Sequence, residues 1–347
     1  MKTKLKDFVN KNRYTTILFG LLAFVLVLFT VTKGGRFWQP NLWKGMLMQF
    51  PEYGCMTLGL MFVFICGKHD MSAVMLGNFA SIIAVKYMSA NVTETMTNGQ
   101  IGGVIVVAIL IAIAISVIGG IINALLVSRL DIPPVMATIA MQLVWKGFST
   151  ALTKGYAVQG LPALYTKIGH MELFGFLPVP LLVFIVLFAI AAFLLKCTVY
   201  GEKLYMVGNN QKAARFSAIN TNRMITITYV LSAVYSVIGV LLMVSTMSSA
   251  KADYGTNYIT RAILILVLAG CLPDGGMGKI SDILIALVTV QIISTGVNMF
   301  PEMNTYYASL IWGGMLIVVL IMSTKMTNFV PKAKKIKTPK KAPEKAA

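Results

Sequence analysis

Apolar runs close to twenty residues long recur from one end of this chain to the other, separated by short polar or basic stretches. A run of that length is what an α-helix needs to cross a bilayer's hydrocarbon core, about 30 Å thick. The pattern predicts an all-α, polytopic membrane protein of about ten transmembrane helices. They are expected near 15–32, 44–66, 71–90, 101–127, 133–153, 179–196, 224–247, 259–272, 280–300 and 305–324. Tight turns at Gly67–Asp70 and Ser128–Ile132 should make antiparallel neighbours of the helices they join. The eighth run is short and flanked by Gly and Pro, which leaves nine or eleven spans as the neighbouring counts.

Composition agrees with a lipid-facing surface. Of the 347 residues, 57% are hydrophobic and 12% charged, and the mean hydropathy is +0.78. A soluble domain carries roughly 25% charged residues. The net charge of +18 does not imply nucleic acid, because the basic residues gather in loops and tails. With the N-terminus in the cytoplasm, 21 of the 30 Lys and Arg fall in cytoplasmic tails and turns. That is the asymmetry of the positive-inside rule, and an even span count then places both basic termini in the cytoplasm. The first run, Ile17 to Val31, is followed by Thr-Lys-Gly-Gly-Arg and not by a small-residue cleavage site, so it is expected to remain as the first helix. Residues 1–14 then form a basic cytoplasmic tail, 15–328 a membrane domain holding a cytoplasmic loop at 197–223, and 329–347 a Lys- and Pro-rich disordered tail on anionic lipid.

The sequence offers little for chemistry. Cys55, Cys66, Cys197 and Cys271 form no C-x-x-C pair and are expected to pack as small residues. His69 and His170 neighbour no nucleophile motif and no metal-ligand set, so no catalytic, metal or cofactor site is expected. The run Pro273–Lys279 looks like a phosphate loop, but Pro stands where its first Gly belongs and Ile280 where Ser or Thr must follow. Any ATP is therefore bound by another polypeptide. Inside the runs, Glu52 and Lys146 are the best-placed ionisable residues, and no set of intramembrane carboxylates suits an ion-coupled carrier. The uncharged polar residues Asn78, Asn123, Gln142, Gln291 and Asn298 are more numerous. Asn78, Asn123, Gln142 and Asn298 are candidates for a path for a small neutral polar solute, or are interhelical hydrogen-bond partners. Small residues in Ile118–Asn123 and at Gly313–Gly314 allow close helix contact.

The longest polar interruption is Lys196 to Arg223. Asn209 or Asn210 can cap a short helix that starts near Gln211. Ala213 and Ala214 give this helix a small-residue face, and Phe216 with Ile219 an apolar side. Such a helix can dock in a partner's cleft or lie on the membrane surface; the residues alone leave both open.

Gly208–Ile219, GNNQKAARFSAI, resembles the Gly-x-Asn-x-x-Ala-Ala-Arg-x-Ser-Gly-Ile segment of permease subunits in bacterial ABC importers of the ribose, xylose and galactose class. Ala218 stands where that family favours Gly, and Thr198–Tyr205 resembles its Thr-x-Tyr-Gly-Arg-x-x-Tyr with Glu202 for Arg. Three further segments match in order. Asp70 and Ser72 fit a Gly-Gly-x-Asp-Leu-Ser-Val-Gly motif, with Lys68 and Val74 replacing glycines. Asn123, Ile132, Pro133, Pro134, Ala137 and Thr138 fit a second motif, and Ala269–Asp282 a Gly-rich turn with Met277 in place of a common Arg.

The resemblance implies a non-enzymatic transport subunit in a bacterial cytoplasmic membrane. Its implied partners are an ABC ATPase, an extracytoplasmic solute-binding protein and a second permease copy or sister permease. It assigns Gly208, Asn209, Ala213, Ala214, Arg215, Ser217 and Ile219 to coupling with the ATPase, and a monosaccharide as cargo. A nucleoside or furanosyl signalling molecule is the alternative cargo. An ion-coupled carrier and a structural membrane protein are the alternative classes.

Overall fold

The computed structural model describes residues 13–93, 95–173, 175, 177–300 and 305–328. The expected C-terminal tail and most of the N-terminal one lie outside these residues. Helices occupy each of the ten predicted stretches, with ends shifted by a few residues. They are α1 (Arg13–Lys33), α2 (Pro40–Ile65), α3 (Ala73–Asn91), α4 (Asn98–Ser128), α5 (Pro134–Thr153), α7 (Val179–Cys197), α10 (Thr221–Met247), α11 (Tyr258–Leu268), α12 (Ile280–Asn298) and α13 (Thr305–Asn328). The shorter α6 (Ala163–His170), α8 (Val199–Asn209) and α9 (Gln211–Phe216) lie between them, with a two-stranded hairpin of β1 (Glu172–Leu173) and β2 (Leu177–Pro178). Among the described residues, seven helices are long and apolar enough to cross a membrane.

Helix ends follow local signals that hydropathy does not register. α2 begins at Pro40, whose missing N–H costs nothing in the first turn. α4 begins three residues before its first apolar residue, because Thr97 N–H donates to Gln100 Oε1 at 3.0 Å in a capping box.

Helix α10 is the axis of the bundle and is buried along most of its length. Its neighbours approach through glycines. A Cβ at Gly59 of α2 would sit 2.8 Å from Ser232 O, and one at Gly120 of α4 would sit 3.0 Å from Tyr229 O. Backbone contact of this kind is how helices associate where lipid removes the hydrophobic driving force. The Gly119–Gly120 pair thus does what its sequence suggested. Gly313 and Gly314 instead meet nothing within 4 Å. Outward faces of α1, α4, α5 and α7 carry exposed Phe, Leu, Ile and Val, including Phe24, Leu110, Leu143 and Phe193.

Two features break the regular bundle. The first is the turn between α2 and α3. Asp70 is buried there, and its carboxylate accepts from Ser72 N (3.0 Å), Ser72 Oγ (2.8 Å) and Ser232 Oγ (3.1 Å). Asn123 Nδ2 of α4 donates to Ser72 Oγ at 2.7 Å, and Tyr229 OH of α10 donates to the His69 carbonyl at 2.8 Å. One turn is thereby tied to two other helices.

The second is the segment 248–257. It leaves α10 and returns into the bundle as irregular backbone. Ala250 pairs with Val158, and Asn78 Nδ2 donates to Tyr254 O (2.7 Å) and Ala252 O (3.3 Å). A Cβ at Gly255 would lie 3.3 Å from Val74 in the first turn of α3. α11 therefore starts inside the bundle. Its 11 residues span about 16 Å at 1.5 Å each, half of a hydrocarbon core.

Removing the Asp70 carboxylate strands three donors in a buried site. Asp70→Ala is expected to lower stability by roughly 2–4 kcal/mol, read as a drop in Tm of the detergent-purified protein. Asp70→Asn, which keeps one acceptor, should cost less. An unchanged Tm in Asp70→Ala would show that the turn is held by other contacts.

Candidate functional site

The 196–223 segment folds into α8 and α9 at the end of the bundle that also holds the α2–α3 turn. Asn210, one of the two expected caps, fills the role: its Oδ1 accepts from Ala213 N at 3.0 Å. Asn209 ends α8, and its side chain lies against Gly276. α9 is fixed at both ends. Lys68 Nζ donates to Gln211 Oε1 at 3.2 Å, and Arg215 Nε donates to Thr221 Oγ1, in the first turn of α10, at 2.9 Å.

The faces of α9 differ from the sequence expectation. Ala214 is buried and Ile219 packs on the core, but Phe216 is 93% exposed. Phe216 and Ile219 therefore do not share an apolar side. Ala213, Arg215, Phe216 and Ser217 form the outward surface. Ala218 has φ +58°, a left-handed conformation that a glycine adopts without strain. This is the position where the resembled family places Gly.

Three loops meet backbone to backbone behind α9. Gly276 N donates to Ile65 O at 2.8 Å. A Cβ at Gly208 would overlap the Ile65 carbonyl oxygen, and one at Gly275 (φ +84°) would lie 2.5 Å from Gly67 Cα. Tyr205 OH of α8 donates to Gly278 O at 2.7 Å. The glycines of Pro273–Lys279 thus form a packed junction between the 196–223 segment and the α2–α3 turn. Beside it, His69 packs edge-on against Phe64, centroids 5.0 Å apart. Burial holds the His69 imidazole below the ordinary histidine value, with Asp274 opposing.

The four candidate path residues do not form one lining. Asn78 and Asn123 are buried and spend their amides on the re-entrant segment and on Ser72. Gln142 lies half-buried on α5, and Lys146 of the same helix is exposed. Asn298 ends α12 and borders a cleft with Arg261, Ser294 and Trp312. Glu52 is buried; its carboxylate accepts from Thr246 Oγ1 (2.6 Å) and Tyr258 OH (3.1 Å). Tyr53 OH donates to Gln291 Oε1. Arg261 and Trp312 escaped the sequence reading. Their one signal is Arg261 itself, an arginine within an apolar run, two residues past the predicted start of the eighth span.

Among the described residues no group of His, Cys, Asp and Glu is placed to hold a metal ion. The arrangement suits transmission of a push. α9 is joined to α10 through Arg215–Thr221, and to the α2–α3 turn through Lys68 and the glycine junction.

Because the Gly208 neighbour is backbone, it cannot give way. Gly208→Ala is expected to lower Tm and abolish transport, whereas Gly147→Ala on α5, with nothing within 4 Å, should leave both unchanged. Equal behaviour of the two variants would remove the junction from the account. Ala218→Gly should raise stability by about 1 kcal/mol, measured by thermal unfolding.

Comparison with known proteins places the chain in a family. The family model described as branched-chain amino acid transport system / permease component matches residues 42–320. The ribose import permease protein RbsC of Bacillus subtilis (strain 168) is 28% identical over 304 residues, covering 87% of this chain and 90% of its own length. The autoinducer 2 import system permease protein LsrD of Photorhabdus luminescens is 27% identical over 310 residues, covering 88% and 89%. The same-named protein of Yersinia pseudotuberculosis serotype O:1b (strain IP 31758) is 28% identical over the same length. No solved structure matches the chain. ATP hydrolysis belongs to a partner chain, and this chain is a membrane transport subunit. It belongs to the branched-chain amino acid transport system / permease component family of ABC permeases.

Proposed function

We propose that this permease carries a monosaccharide of the ribose type through a bacterial cytoplasmic membrane, driven by a separate ATPase that docks on α9. The observation that carries the reading is the likeness, along nearly nine-tenths of both chains, to a ribose import permease. The α9 geometry supports the drive. Phe216 stands out from the bundle end at 93% exposure, and an aromatic side chain that exposed suits burial in a partner. The residues proposed for coupling are Gly208, Asn209, Ala213, Ala214, Arg215, Ser217 and Ile219. Of these, Ala213, Arg215 and Ser217 face outward with Phe216, while Gly208, Ala214 and Ile219 hold the segment in place.

The remaining parts of the reading follow the charge pattern. Ten helices span or enter the bilayer, both termini are cytoplasmic, and the α9 end faces the cytoplasm, as 21 of 30 basic residues on that side suggest. The membrane domain covers 15–328 with the coupling loop at 197–223, and basic tails flank it. The proposed assembly adds a second permease copy or sister permease, the ATPase and an extracytoplasmic solute-binding protein. A second cargo, a furanosyl signalling molecule, is favoured by the relatives named for autoinducer 2 import.

Reconstitution of the permease with its ATPase and binding protein into liposomes tests the reading. ATP-dependent uptake of D-ribose is expected; uptake of autoinducer 2 in its place would select the second cargo. Uptake that persists without the ATPase and follows a proton or sodium gradient would overturn both. Ala213→Trp, at an exposed position, should cut uptake about tenfold through a docking cost of roughly 1.4 kcal/mol, while membrane insertion persists. A cysteine at Ala213 should crosslink to the ATPase. No crosslink, together with full uptake by Ala213→Trp, is the result expected of a helix lying on the membrane.

A further inference from the structure

The first turn of the broken helix α11 carries Arg261 into the bundle. Its guanidinium carbon lies 4.6 Å from the Trp312 ring centroid of α13 and 5.7 Å from that of Tyr258. Among the described residues the ion pairs are Lys44–Glu172 and Lys251–Asp253, so no carboxylate neutralises Arg261. Its Nε is buried without a hydrogen-bond partner, and the buried indole Nε1 of Trp312 lacks one too. Both side chains line the same cleft, whose other walls include Ser294 and Asn298 on the last turns of α12.

Two orphaned donors in one cleft are an uncommon cost. A buried donor without an acceptor loses about 1–3 kcal/mol of hydration, and native structures leave few such groups. Structural arginines in apolar surroundings are paired. The neighbouring polar groups are already engaged: Tyr258 OH and Thr246 Oγ1 are held by Glu52, and Tyr53 OH by Gln291. What Arg261 Nε and Trp312 Nε1 lack is an oxygen acceptor, and among the described residues none hydrogen-bonds either.

We infer that Arg261 and Trp312, with Asn298 and Ser294 beside them, form a contact site for the transported solute, an acceptor-rich polyhydroxylated molecule of monosaccharide size. The inference rests on the importer reading above and names the residues that touch its cargo. The guanidinium and indole N–H groups donate to hydroxyl or ring oxygens. The indole face offers an apolar platform to the C–H side of a sugar ring, and Asn298 can both donate and accept. Discontinuous helices lining such a site are tolerated in membranes only where they border a cavity or are buried in protein. The cleft holds about 10 Å³ here, room for roughly one water. It must widen to admit a sugar, through separation of α13 from α11 and α12. That is a site alternately closed and opened during a transport cycle.

The test uses the full complex in liposomes, with D-ribose as the probe, and reads ribose moved per ATP hydrolysed. A folding or docking defect lowers both quantities together, whereas loss of a solute contact lowers their ratio. Arg261→Gln is expected to reduce the ratio about tenfold or more, Arg261→Lys less. Trp312→Phe, which keeps an aromatic ring but deletes the N–H, should reduce it about threefold. If Arg261→Gln does not assemble with the ATPase, Trp312→Phe decides. Wild-type ratios in the assembled variants overturn the site and leave the importer reading standing. A wild-type complex that moves neither ribose nor autoinducer 2 with ATP overturns the importer reading, and the site with it.

Discussion

Where this chain leaves helical geometry, backbone groups are bonded by other elements; within the apolar bundle they must be, because lipid offers no partner, and at the α9 end the packed junction does the same. Four described departures are answered in that way. Asn78 takes its place under the carbonyls of Ala252 and Tyr254. Tyr229 caps the His69 carbonyl, Tyr205 that of Gly278, and the amide of Gly276 that of Ile65. Irregular backbone is thereby fastened to helices distant in sequence. The same requirement that makes these segments costly makes them good transmitters, since moving one moves its partner.

The two irregular regions are connected through α10, and the proposed coupling uses them as the ends of one lever. The α2–α3 turn, held by Asp70, Ser232 and Asn123, meets α8 through closely apposed glycine backbones, the route proposed for the load from α9. α10 connects it to the far end, where Thr246 reaches Glu52, and Glu52 reaches Tyr258 at the start of α11. Arg261 lies three residues further on. A displacement at α9 thus has a continuous route of hydrogen bonds and packed helices to the cleft between α11, α12 and α13. Phe216, with its ring in the open, is where a partner can act on the near end.

Much of this was legible in the sequence, for physical reasons that differ by element. The helices were found because lipid demands long apolar runs. Hydropathy missed the start of α4, which Thr97 and Gln100 set by hydrogen bonding. The order within 196–223 was visible in its Asn cap and paired alanines. The outward turn of Phe216 was not, because it depends on which face of α9 the fold buries, the Ala214 side. Pro273–Lys279 read as a plain Gly-rich turn, since a sequence does not reveal that Gly275 must clear Gly67 Cα. The polar residues were the least legible. For Asn78 and Asn123 the sequence leaves path residue and interhelical partner both open, and the fold shows their amide N–H groups bonded to other elements. The pairing of Arg261 with Trp312 joins residues 51 positions apart, and only the fold brings them within 4.6 Å.

The central claim is that load applied at α9 travels through the glycine junction to the broken helix. Amide hydrogen exchange of the assembled complex, with and without ATP, tests it most directly. The account predicts ATP-dependent changes in three separate regions: 199–216, 65–72 and 248–262. A change confined to 199–216, with the turn and the re-entrant segment exchanging at the same rate in both states, would contradict it.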